Sequence, residues 1–142
     1  MESLGYFVLL CSMIPGLFFY VWPVTIGLVV LSLISFVLWL KSHRNAKLNW
    51  RWIGRSASVP LIILIYGTCC RADSARQPQP FSEVAANVLF FLLVAQVVAA
   101  VIGIRKTPGG GILLSISILI WIFCISVAAA LIAGMSITGQ WL

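Results

Sequence analysis

Acidic side chains are what this chain most conspicuously lacks. Its 142 residues include three Asp and Glu and one histidine, against nine Lys and Arg. That stock is too small for chemistries that need several such groups side by side, such as paired carboxylates for acid–base work or clustered ligands for a metal. The acids are Glu2, Asp73 and Glu83, all outside or at the edge of the long apolar runs. His43 stands alone in a basic loop, where a solvated side chain is the simplest reading. With no nucleophile motif beside them, the expectation is a protein that is not an enzyme and holds no metal or cofactor.

Charge of either sign is scarce as well. Charged residues make up 8% and hydrophobic residues 62% of the chain, and the mean hydropathy is +1.12. A water-soluble fold of this length could not cover itself with so little polar surface. Lipid must therefore surround most of the chain, and the length is best divided into spans of about 20 residues. The expected fold is an all-α polytopic transmembrane helix bundle of four or five helices, 1–142 forming one domain with no sizeable soluble part.

The longest uncharged run extends from Leu4 to Leu40. As one helix it would measure roughly 55 Å, nearly twice the roughly 30 Å of bilayer hydrocarbon. Its length predicts a turn back, with the corner at Phe18-Phe19-Tyr20-Val21-Trp22-Pro23, where interfacial aromatics meet a proline suited to a helix start. Both halves are short, so one tilted span preceded by a re-entrant or interfacial piece is the alternative. The beginning of the chain has neither a basic n-region nor a small-residue cleavage site, so the first stretch reads as a retained segment.

Helices are expected at about 4–19, 24–40, 50–70, 83–104 and 112–137. The third is the least apolar: Val59 to Cys70 is too short alone, and it reaches spanning length only if extended back through Trp50, with Arg51 and Arg55 snorkelling and Pro60 as a kink. The run Leu61 to Tyr66 favours a true crossing. Gln77-Pro78-Gln79-Pro80 reads as an extended connection. Ser82 then caps the fourth helix, with Glu83 in its first turn. Thr107-Pro108-Gly109-Gly110-Gly111 is a short turn that makes the fourth and fifth helices antiparallel neighbours; without Gly-Lys-Ser/Thr it is no phosphate loop. Trp141 is an interfacial anchor.

The net charge of +6 would suit nucleic acid in a soluble protein, but the cations sit where membrane topology puts them. Lys41, Arg44, Lys47, Arg51 and Arg55 form one membrane-surface loop, with Arg71 and Arg76 in the next and Arg105 and Lys106 in a third. Cytoplasmic retention of Lys and Arg explains the clustering, so no nucleic-acid partner is expected; a specific anionic-lipid or nucleic-acid contact by the same loop is the alternative. If the third helix crosses, the first and third of these loops share a side. The reading is an integral protein of a bacterial inner membrane with the end of its last helix outside the cytoplasm.

Four cysteines, Cys11, Cys69, Cys70 and Cys124, are too few and wrongly spaced for zinc and read as free thiols. The most informative intramembrane residue is Gln96, whose amide must face protein or water. By helical spacing, Gln96 shares a face with Leu92, Ala99, Ala100 and Gly103, and Ala95, Ala99 and Gly103 repeat small residues every four positions. Ser126, Ala130, Gly134 and Thr138 do the same in the fifth helix. Such ridges let helices approach closely in lipid. They can serve one chain's own bundle or contact with other membrane chains or copies of itself. Three functional classes follow: association as an accessory subunit or self-assembling unit, a channel or transporter with a polar path near Gln96, Ser126 and Thr138, and a membrane protein of bacterial immunity or defence.

Overall fold

A computed structural model describes residues 2–42, 50–70, 82–107 and 112–138, leaving aside the side chains of residues 2, 3, 42, 82 and 86. Five helices account for nearly all of them: α1 (Glu2–Tyr20), α2 (Trp22–Ser42), α3 (Trp50–Cys69), α4 (Ser82–Arg105) and α5 (Ile112–Thr138). All bounds fall within two residues of those expected, because charge and proline punctuate the apolar runs so sharply. Helices α2 to α5 are each long and apolar enough to cross a membrane, whereas the apolar part of α1 is shorter. The chain is a polytopic integral membrane protein in contact with the lipid bilayer. The expected readings of His43, Arg44, Lys47, Arg71, Arg76, Asp73, the Gln77–Pro80 segment, the Gly109–Gly111 turn and Trp141 lie outside the described residues.

Helix α5 is the axis of the bundle and α3 its most extensive neighbour. Gly67, near the end of α3, meets Ala133, near the end of α5, so these two helices run parallel. Gly103, near the end of α4, meets Trp52, near the start of α3. Helix α4 therefore opposes both α3 and α5, as its short connection to α5 requires. The least apolar helix is thus a full member of the bundle: Ile53, Ser56, Pro60, Ile63, Leu64 and Gly67 form a buried stripe at helical spacing, while Arg51 and Arg55 stay exposed. One core joins Leu10 of α1, Ile63 of α3, Leu89 of α4 and Ile132 of α5.

The expected turn back between α1 and α2 does not occur. Tyr6 reaches Ser136, Phe18 reaches Trp121 and Ser32 reaches Ser117, so both helices run the same way, against α5. Their sheltered residues recur every three or four positions within each helix, at Leu10, Ile14 and Leu17 and again at Thr25, Leu28, Ser32, Ser35 and Trp39, and the step of eight between Leu17 and Thr25 keeps the same face. The corner at Val21 to Pro23 is a kink. Pro23 has no N–H to give the helical ladder; Val24 bonds back three residues to Val21, and the Thr25 hydroxyl donates to the Phe18 carbonyl at 2.9 Å. A run longer than one bilayer thickness need not reverse, because a kinked, oblique path accommodates it.

Candidate functional site

With no charged side chain buried among the described residues, the candidate sites are the few places where polar atoms or close backbones meet. The tightest is between α3 and α5. A Cβ added to Gly67 would lie 2.6 Å from the Ala133 Cβ and 2.9 Å from its Cα, so only glycine fits there. Just beyond, the Tyr6 hydroxyl donates to Ser136 Oγ at 3.1 Å, and Ser136 donates to the Gly67 carbonyl at 3.1 Å. One chain of hydrogen bonds thus ties α1, α5 and α3 at the end where α5 finishes.

A second polar node holds α2. Trp121 Nε1–H donates to Ser32 Oγ at 2.6 Å, and Ser32 in turn donates to the Leu28 carbonyl at 2.8 Å. Ser117 Oγ lies 3.0 Å from Ser32 Oγ; with the Ser32 proton already used, Ser117 is the donor. The Phe18 ring closes the node, its centroid 5.9 Å from that of Trp121. Sequence reasoning passed over Tyr6, Ser32, Gly67, Trp121 and Ser136. Ser32 was the available signal, a hydroxyl in the middle of a span whose other residues are nearly all apolar.

The predicted ridges are only partly inward. On α4, Gln96 is 2% exposed and Gly103 is buried, but Ala99 is half-buried and Ala95 exposed. A four-residue repeat drifts by about 40° per step on a 3.6-residue helix, so the ridge winds from the outside to the core. On α5, Ser126 is fully buried, while Ala130, Gly134 and Thr138 are half-buried and the space beside Gly134 is open. The Ser126 hydroxyl donates to Ile122 O and that of Thr138 to Gly134 O, each within its own helix. Helix α5 carries small residues on two adjoining faces, and the one with Ala129, Ala133 and Ser136 is the buried one.

Gln96 therefore lies inside the chain's own bundle. Its Oε1 has no hydrogen-bond partner, and the same holds for Ser56 Oγ on α3 and Ser115 Oγ on α5, all buried. Buried oxygens of this kind ordinarily hold water or a ligand group.

At the opposite end from the Gly67 contact, α3 and α4 bring cations together. Trp52 lodges beside Gly103, where an added Cβ would stand 3.2 Å from Trp52 Cβ. The Arg55 guanidinium lies 5.0 Å from the Trp52 ring centroid and the Lys106 ammonium 5.1 Å from it. Lys41, Arg51 and Arg105 are exposed at the same end. Each described loop cation of the sequence reading is thus on one side of the bundle, as a crossing α3 demands.

The four cysteines are free thiols, Cys69 exposed and Cys11, Cys70 and Cys124 half-buried. Among the described residues no three His, Cys, Asp or Glu lie together as metal ligands would. Between the kinked α1–α2 path and α5 runs an open apolar groove of about 230 Å³, with Leu17, Val21 and Leu28 on one wall and Phe123, Val127 and Leu131 on the other. No family model, no curated protein and no solved structure matches the chain.

Proposed function

We propose that this protein is non-enzymatic and works by helix–helix association within the bilayer, as an accessory subunit of a larger membrane complex or as a unit that assembles with copies of itself. The supporting observation is the small-residue surface left over once the bundle is complete. Gly134 has open space beside it and Ala95 is exposed, although each stands in a four-residue repeat of the kind that brings helices together. Helix α2 adds a broad uncovered face, from Trp22 and Ile26 to Leu33 and Val37. In this reading the cation-rich end faces the cytoplasm of a bacterial cell, and the ends of α3 and α5 face outward.

The test is Gly134→Leu together with Ala99→Leu. A Cβ at 134 meets no atom within 4 Å, so with helix content unchanged an effect on assembly reports a second chain. The expected result is loss of the oligomer or of co-purifying chains in mild detergent, measured as particle mass, with helix content unchanged. Retention of the wild-type mass and partners by both variants would refute the proposal.

The unpartnered oxygens of Gln96, Ser56 and Ser115 favour a second reading, a hydrated path through α3, α4 and α5. It predicts solute flux into liposomes that hold only this protein, lost in Gln96→Leu; liposomes that stay tight to every ion tested would exclude it. Against it stands the absence, among the described helix interiors, of the ionisable group that coupled transport usually needs.

A further inference from the structure

We infer that Trp52, Arg55 and Lys106 form a binding site for the phosphate of an anionic phospholipid, built across the start of α3 and the end of α4. The argument begins with uncompensated charge. Arg55 and Lys106 both stand over one indole ring, at 5.0 and 5.1 Å from its centroid, so their charges are at most about 10 Å apart. The two described acidic residues, Glu2 and Glu83, stand in the first turns of α1 and α4, at the opposite end of the bundle. The ring holds the two cations near each other, but a ring face cannot neutralise them as an anion does.

The position selects the anion. Trp52 is half-buried against Gly103, and α3 beyond it becomes apolar, which puts the cations at the level where phospholipid phosphates lie. Trp50, exposed two residues earlier, marks the same level. Arg55 offers a planar fork that can grip two phosphate oxygens, and Lys106 adds a point charge from the neighbouring helix. A zwitterionic headgroup would bring its own cation beside Arg55 and Lys106, so a headgroup with net negative charge is preferred. Glycine at 103 is part of the site, since a Cβ there would stand 3.2 Å from Trp52 Cβ and require Trp52 to give by a few tenths of an ångström.

The experiment uses the full chain, purified in a neutral detergent, stripped of lipid and titrated with phosphatidylglycerol, phosphatidylcholine or inorganic phosphate, bound lipid being counted by native mass spectrometry. The expected result is at least a tenfold preference for phosphatidylglycerol over phosphatidylcholine, reduced at least fivefold in Arg55→Gln/Lys106→Gln. The double variant Lys41→Gln/Arg51→Gln removes the same charge from the same end and should change the preference less than twofold. Trp52→Leu, which keeps bulk but removes the ring face, should weaken it by an intermediate amount. Equal losses in the two double variants would mean diffuse attraction and would overturn the site. Displacement of the lipid by millimolar inorganic phosphate would assign the cluster to a soluble anion and overturn the lipid assignment.

Discussion

Helices α2 and α5 are nearly equal in mean hydropathy, 2.4 against 2.7, yet 6% of the most apolar stretch of α2 is buried and 39% of that of α5. In water, greater burial would follow greater apolarity. In lipid, tails and leucine side chains are alike, and apolarity gives a helix no reason to seek the centre. What separates the two is the distribution of small and hydroxyl residues. Helix α5 turns Ser115, Ser117, Ser126, Ala129, Ala133 and Ser136 inward. Helix α2 has Thr25, Ser32 and Ser35 as its sheltered polar positions and is hydrogen-bonded to α5 through the node at Trp121. Close backbone approach and hydrogen bonds, which small residues permit, place a helix at the centre of this bundle.

The comparison breaks first at Gly67. Gly67→Ala should force α3 and α5 apart, because the new methyl meets backbone that cannot swing away. The expected cost is about 1 to 3 kcal/mol, read as a lower midpoint of unfolding in detergent. Adding Ala133→Gly should restore part of it, and a double variant no better than the single one would refute the close-contact account. A smaller effect should follow at the rim. Trp121→Phe keeps the ring against Phe18 but removes the bond to Ser32, at a cost of about 1 kcal/mol. That loss should loosen α2 selectively, seen as faster hydrogen exchange around residue 32 with α3 and α5 unchanged; uniform loosening of the bundle would show that α2 is no separate unit.

Much of this was legible from the chain. Runs bounded by Lys41, by Arg71 to Pro80 and by Arg105 to Gly111 fix where helices start and stop, since charge and proline are costly within hydrocarbon and helix interiors. The burial of Gln96 was likewise foreseeable from the cost of an amide in lipid. The direction of α2 was not, because a proline among aromatics suits a reversal and a kink equally well. Nor was the choice between the two small-residue faces of α5, which differ by a single residue's rotation: Ala130 and Gly134 looked as suitable as Ala129 and Ala133. The partner that excludes one face, Gly67, lies two spans away in sequence.

Composition and the order of its residues made this protein a lipid-embedded helical bundle, with cations gathered at one end and few groups able to do chemistry. Those properties depend on the transfer of each side chain between water and hydrocarbon, a property of the residue itself. Tertiary structure alone decided that α1 and α2 form one kinked path, that α5 is the axis, and that Trp52 holds Arg55 and Lys106 over a single ring. Each of these depends on which surfaces meet across long separations in the chain, where local periodicity carries no information.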